Sequence, residues 1–347
     1  LVLDENDGDP NTGGGNVTEY SYTQAEIENL VENYLGVSEY QLYQDPNGTY
    51  IDHIDCWAKL LDVDKVMIRS VPASHAQYAA IEASVAEWQS KTSSYGTPYR
   101  IYRVYTPNNE PYANSLIFNN HIYVPLMGNA NDAAALQAYQ DAMPGYTVSG
   151  YTYSAFQGTD ALHCRTNTIF DEGMIVINHT PVTTAMETSP LAINFSLSHV
   201  DAIDTGLSYV AYKSATDATW QYATISSLGS DDWTAEVFTP AFGEEMQYYF
   251  YVQDSSGRQC QLPLCGPNDP FSFVIDQAKP AAPVVSVQIS SDAAYLSWEA
   301  VPGATYYKVY KAVDPYGQYT QIGQTADTTF NIIPLESRAF FKVVSGN

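Results

Sequence analysis

The 3.6-residue apolar repeat of amphipathic helices stops near residue 180 and does not return. Up to that point strands and helices alternate. Thr23-Gln24-Ala25-Glu26 reads as a capping box. The helix it opens carries Ile27, Leu30, Val31, Tyr34 and Leu35 on one face, and Gly36 stops it. A strand near 41–43 and the turn Asp45-Pro46-Asn47-Gly48 lead to a strand holding His53. Lys65 to Val71 reads as a strand, and 75–90 as a helix burying Tyr78, Ile81, Val85 and Trp88. Tyr99 to Tyr105 is the next strand, followed by a hairpin of 115–118 with 121–124 around Asn119-Asn120. Asn131 caps a helix to about Ala142, stopped by Pro144-Gly145, and Tyr146 to Tyr153 returns as a strand. Strand, strand, helix, strand recurs at roughly 60-residue intervals, so residues 1–178 read as an α+β modular array.

Beyond that point only short alternating strands remain, at 192–197, 208–212 and 247–252, which is how an Ig-like β-sandwich reads over 179–277. Asp276 to Pro283 makes a linker. Residues 281–347 hold a fibronectin type III-like domain, in which Trp298 and Tyr307 are expected to be core residues rather than a ligand platform.

Acidic residues outnumber basic ones 39 to 14, for a formal charge of −25, which disfavours nucleic acid and anionic membranes and favours cationic partners. No run of 18 apolar residues is available for a membrane span. The 29 tyrosines against 12 phenylalanines, with few lysines, fit a secreted or cell-surface bacterial protein. The first residue is Leu rather than Met, so a preceding segment is expected to have been removed. Cys260 and Cys265 are close enough in sequence for a local disulfide, which would fit an oxidising compartment, or they are free thiols. Asp4, Asp7 and Asp9 lie in an oxygen-rich run that is either a calcium site without EF-hand spacing or a solvated loop.

Three segments carry chemistry. His53-Ile54-Asp55 would put imidazole and carboxylate on one face of a strand, as a surface ion pair or as two groups aimed at one centre. Asn114 opens an apolar strand, and Cys164 follows the turn Gly158-Thr159-Asp160, beside Arg165. Thiol, imidazole and carboxylate are the minimum kit for nucleophilic catalysis.

In that order, Asp52-His53-Ile54-Asp55, Ala113-Asn114-Ser115-Leu116-Ile117 and His163-Cys164-Arg165-Thr166 resemble the motifs of the agmatine deiminase and bacterial peptidylarginine deiminase family. The longer blocks Asp52–Lys59 and Gly158–Thr166 are more similar to its secreted peptidylarginine branch. The resemblance implies the C-terminal part of a pentein, a five-bladed α/β propeller, acting without a required cofactor. It also implies that Cys164 attacks a guanidinium carbon, His53 moves protons, Asp55 grips the guanidinium, and Asn114 positions them. Arginine in peptides or proteins is then the substrate and citrulline the product. Agmatine or another small guanidine is the alternative, and a non-catalytic surface or adhesion protein is the reading from a different class. A cysteine protease would use the same thiol and imidazole but leaves Asp55 unexplained.

Family members carry further blades before the region matched here, including a second guanidinium-binding carboxylate. A propeller lacking them would expose sheet edges. A non-covalently bound N-terminal fragment, left by proteolysis ahead of Leu1, is therefore the expected partner.

Overall fold

The computed structural model describes residues 23–37, 41, 43–48, 53–186, 190–276, 280–290, 293–333 and 338–347. Asp4, Asp7 and Asp9 lie outside them. The chain divides into two compact units, one formed by residues up to 183 with 190–238 and 245–273, the other by 184–189, 239–244 and 274–347.

In the first unit, helix α1 (Gln24–Leu35) begins on the expected capping box and ends at Gly36. Gly36 adopts φ 67°, a left-handed conformation that costs glycine nothing. Its buried stripe is narrower than expected: Ile27 and Val31 are buried, whereas Leu30, Tyr34 and Leu35 are exposed. Two ββαβ units follow. The first is β1 (Ala58–Asp62), β2 (Lys65–Ser70), α2 (Tyr78–Ser90) and β3 (Arg100–Tyr105). The second is β4 (Leu116–Phe118), β5 (His121–Leu126), α3 (Asp132–Ala142) and β6 (Thr147–Thr152). In each, an antiparallel pair is followed by a helix that returns the chain to a parallel strand, β1-β2-β3 and β4-β5-β6. The repeat inferred from periodicity is thus a physical one.

Each sheet face has its own cover. Ala58, Val66 and Ile68 pack on Ile81, Val85 and Trp88 of α2. On the opposite face Leu61, Met67 and Val104 join Ile122, Val124, Ala135 and Tyr139 of the second unit. The β4–β5 turn puts Asn119 at φ 53°, a position asparagine tolerates better than branched residues.

Four local expectations are corrected. His53 is in no strand; it precedes a 3₁₀ turn, Ile54–Cys56, so strict alternation does not relate it to Asp55. Backbone bonds from Cys56 N to His53 O (3.1 Å) and from Trp57 N to Ile54 O (3.1 Å) take the donors a ladder would need. Gln41 and Tyr43 are likewise not in a strand, and Leu42 lies outside the described residues. Tyr43 instead stacks on Trp88 at 4.2 Å between ring centroids. The Asn131 side chain does not cap α3; its Nδ2 donates to Glu110 (2.8 Å), while Asp132 accepts the N–H groups of Met127, Gly128 and Asn129. Finally, Cys260 and Cys265 are not bridged. Cys265 is buried against Met143 and accepts from Lys65 at 3.5 Å, while Cys260 sits on a separate strand, Gln259–Leu262.

A two-sheet sandwich completes the unit. One sheet orders β12 (Ser226–Gly229), β13 (Asp232–Val237), β9 (Leu191–Ser198) and β7 (Val176–Asn178). The other orders β11 (Gln221–Thr224), β10 (Tyr209–Ser214), β14 (Glu245–Gln253) and the start of β16 (Phe271–Asp276), with β15 (Gln259–Leu262) also on β14. Phe195 and Phe250 meet between the sheets at 4.9 Å. The sandwich is bonded to the first ββαβ sheet. Lys65, wholly buried, pairs with Asp269 at 2.5 Å and donates to Ala142 O at 2.9 Å. Arg100 clamps Asp64 and Asp269 together, and Asp62 accepts from Leu264 N.

In the second unit the end of β16 runs parallel to β8 (Thr184–Met186). Two three-stranded sheets follow: β17 (Val285–Ser290), β18 (Ala293–Trp298) and β21 (Thr329–Ile332) form one, in the order β17-β18-β21. The other orders β20 (Thr320–Thr325), β19 (Tyr306–Ala312) and β22 (Phe340–Gly346). Trp298 and Tyr307 are buried in its core with ring centroids 5.2 Å apart.

Candidate active site

Three loops, each at the edge of a ββαβ unit, converge at one point. The first is the 3₁₀ turn before β1, which projects Asp55 and Cys56. The second is the turn before β4, where Asn114 N bonds Pro111 O at 2.9 Å. The third runs from Tyr153 to Thr166 after β6.

Asn114 is wholly buried and every polar atom of its amide is used. Its Oδ1 accepts the N–H groups of Ala161 (3.2 Å), His163 (3.0 Å) and Cys164 (3.3 Å). Its Nδ2 donates to Asp55 O (3.2 Å) and to Cys164 Sγ (3.1 Å). Only an amide supplies both donor and acceptor here; a carboxylate would place a second negative charge on the sulfur.

The Cys164 loop is shaped by contacts of its own. Arg165 grips the Asp160 carboxylate through Nε (2.9 Å) and Nη2 (2.7 Å) and donates to Ala155 O. Gln157 and Asp160 exchange backbone bonds across a tight turn. Gly158 is needed because a Cβ there would stand 2.7 Å from Asn109 O. That turn points the Thr159 carbonyl at two sulfurs, Cys56 (3.4 Å) and Cys164 (3.8 Å).

Cys164 is exposed and its thiol reaches Asp55 Oδ2 at 3.4 Å. A hydrogen bond from the buried Cys56 thiol draws the Cys164 thiol down to about 7, against burial and the Asp55 charge, and the Asn114 amide adds to the lowering. The same bond, with burial and the two negative neighbours, pushes Cys56 far up. Burial raises the Asp55 carboxyl, but bonds from His163 and Cys164 and the charges of His163 and His53 outweigh it, leaving Asp55 below its ordinary range. Burial pulls the ammonium of Lys59 down to about 8, with the Asp55 and Cys164 charges opposing that fall.

Of the four residues expected at the site, Asp55, Asn114 and Cys164 are in direct contact. His53 is exposed, flanks Asp55 closely enough for its charge to be felt, and makes no hydrogen bond through its ring among the described residues. The imidazole on the carboxylate is that of His163, whose Nδ1 lies 2.5 Å from Asp55 Oδ2. Sequence reasoning assigned no role to His163, Cys56 or Lys59. The block from Asp52 to Lys59 contains two of them and was the one available signal. Among the described residues no group of three or more His, Cys, Asp or Glu side chains is placed to hold a metal ion, and no helix is long and apolar enough to cross a membrane.

Residues 17–169 match the sequence profile of Porphyromonas-type peptidyl-arginine deiminase. A Vibrio parahaemolyticus protein assigned provisionally as an agmatine deiminase is 25% identical over 179 residues, 42% of this chain and 49% of that protein. A similarly assigned Yersinia pestis protein is 27% identical over 176 residues, 42% of this chain and 48% of its own length. Among solved structures, the agmatine deiminase of Enterococcus faecalis aligns at 19% identity and a TM-score of 0.38, covering 41% of this chain and 47% of that one. The chain spans about half the length of the curated relatives it matches. Every residue that builds the thiol site falls within 17–169, the segment that matches the peptidyl-arginine deiminase profile.

Proposed function

We propose that the chain carries the nucleophile half of a guanidino-hydrolase site and that its substrate is arginine in peptides or proteins. The observation that carries this reading is Cys164 Sγ within 3.1 Å of Asn114 and 3.4 Å of Asp55, with its thiol drawn toward neutrality. In the proposed reaction the Cys164 thiolate adds to the guanidinium carbon. His53 protonates the departing nitrogen, which leaves as ammonia, and a covalent amidino-thioester remains. Water deprotonated by His53 then attacks that carbon, the thiolate leaves, and a ureido group is released, citrulline when the substrate is arginine. Asp55 holds the planar cation through charge-assisted bonds. Its Oδ1 is supported for that role because, among the described residues, its side-chain hydrogen-bond neighbour is the distant Cys56 thiol (3.8 Å), whereas Oδ2 faces His163.

His53 rather than His163 is assigned the proton transfers because His163 already engages Asp55 through Nδ1, whereas the His53 ring is uncommitted among the described residues. A second guanidinium carboxylate and the groups that grip the rest of the substrate are proposed to come from an N-terminal fragment of the same precursor, consistent with the half-length match. Tyrosine-rich composition supports a secreted or cell-surface bacterial protein, although four free thiols remove the disulfide argument for it.

Citrulline and ammonia release from benzoyl-arginine, an arginine-ending peptide and agmatine tests the reading, on material containing the N-terminal fragment. Cys164→Ala is expected to abolish turnover with the fold retained. His53→Ala should lower kcat by roughly 10²–10⁴-fold, the usual worth of a general acid–base, and His163→Ala by clearly less. Preference for agmatine would replace the peptide assignment. No turnover of any guanidine by the complete assembly would leave the non-catalytic reading standing.

A further inference from the structure

The mechanism above uses one sulfur, yet two sit in the site. Cys56, 2% exposed, and Cys164, exposed, come from segments over a hundred residues apart and share two neighbours. Both approach the Thr159 carbonyl, at 3.4 and 3.8 Å, and both approach the Asp55 carboxylate, at 3.8 and 3.4 Å. Each thiol also perturbs the other, Cys56 lowering Cys164 and Cys164 raising Cys56. Deiminase chemistry needs no second thiol there; a hydroxyl would donate as well and would not oxidise.

We propose that Cys56 is the resolving partner of Cys164, the two closing to a reversible intramolecular disulfide when the chain meets a hydroperoxide. The exposed Cys164 thiolate attacks the outer peroxide oxygen. The O–O bond breaks, the remaining oxygen leaves as alkoxide or hydroxide and takes up a proton, and Cys164 is left as a sulfenic acid. The Cys56 sulfur then attacks the Cys164 sulfur; the S–S bond forms, the S–O bond breaks, and hydroxide departs with the Cys56 proton as water.

The environment suits this order of events. While Cys164 is a thiolate, its hydrogen bond and charge hold the Cys56 proton in place. Conversion to an uncharged sulfenic acid removes both, leaving burial and Asp55 to oppose ionisation, so Cys56 gives up its proton more readily once its neighbour has been oxidised. Cys164 also sits in a run of turns rather than in a strand, closed by bonds of 3.3 Å from Arg165 N and Thr166 N, so it can move toward its partner without breaking a ladder. The disulfide blocks the nucleophile and shields it from irreversible sulfinic acid.

This goes beyond the deiminase reading, and its test reads mass rather than turnover, so the two can fail separately. The full chain is treated with hydrogen peroxide, alkylated and mapped by mass spectrometry without reductant. A peptide pair joined through Cys56 and Cys164, released by dithiothreitol, is expected. Cys164 recovered as a sulfinic acid with Cys56 still free, or joined to Cys260 or Cys265, overturns the proposal. In Cys56→Ala, checked for native far-UV and near-UV circular dichroism, dimedone should trap a persistent Cys164 sulfenic acid that is lost in the unsubstituted chain. Equal dimedone labelling of the two also overturns it.

Discussion

The Asn114 amide accepts three backbone N–H groups of the Cys164 loop and donates to both the sulfur and the Asp55 carbonyl. A single side chain therefore sets the position of the nucleophile and part of its acidity. Asn114→Asp keeps the shape, loses the donor, and adds a negative charge beside the sulfur. Cys164 alkylation by iodoacetamide, followed against pH, should titrate near 7 in the native protein and move up toward the free-thiol value of about 8.5 in the variant. The sign follows from the cause, since removing a donor and adding a negative charge both disfavour the thiolate. An unchanged titration would show that Asn114 only holds the loop. Gly158 is a second point of control, because a Cβ there meets backbone rather than a flexible side chain. Gly158→Ala should cost about 1–3 kcal/mol in chemical denaturation, as overpacking does, and should slow alkylation by shifting the Thr159 carbonyl.

At the scale of elements, the first ββαβ sheet and the sandwich meet through charge. Lys65 is wholly buried on β2, yet its ammonium stays charged. Burial lowers it, and the bond to Asp269 with the charges around it more than offsets that, so its net shift is upward. Removing one partner of such a pair leaves an uncompensated buried charge. Asp269→Ala should lower unfolding free energy by roughly 3–5 kcal/mol, measured by urea denaturation, and Lys65→Met with Asp269→Leu should recover much of it. Recovery is the more telling arm, because it separates an electrostatic cost from lost packing. Sequence reasoning placed Lys65 at the start of the correct strand and did not find this contact, since Asp269 lies two hundred residues away in another architectural layer. By contrast, the α2 stripe at Ile81, Val85 and Trp88 and the β4–β5 hairpin were legible, because a helical stripe and a two-asparagine turn depend on near neighbours alone. Tyr78, expected on that stripe, is exposed at the first turn.

For the whole molecule, every residue that builds the thiol site belongs to the first compact unit, and residues 274–347 belong to the second. A chain ending at Asp276 should keep the native Cys164 alkylation profile, with an apparent midpoint near 7. A shifted midpoint or loss of reactivity would mean that the terminal sandwich contributes to the site. The strand-rich character after residue 180 and the repeated ββαβ pattern before it were written in periodicity, which reports which faces are buried without any long-range information. All four expected site residues could be named because short motifs mark them, and three of them are in direct contact. What they touch was decided elsewhere. His53 and Asp55 were assigned to one strand by alternation, but a 3₁₀ turn diverts the chain there and His163 takes the carboxylate. Nothing in the sequence marks the second thiol as a neighbour of the nucleophile; the Thr159 turn draws both sulfurs to one carbonyl. Sequence by itself determined residue types and local periodicity, since these act over a few residues. Tertiary structure alone decided which imidazole meets the acid and which thiol meets the nucleophile, because hydrogen bonds between loops depend on distances that the chain settles only after its sheets have packed.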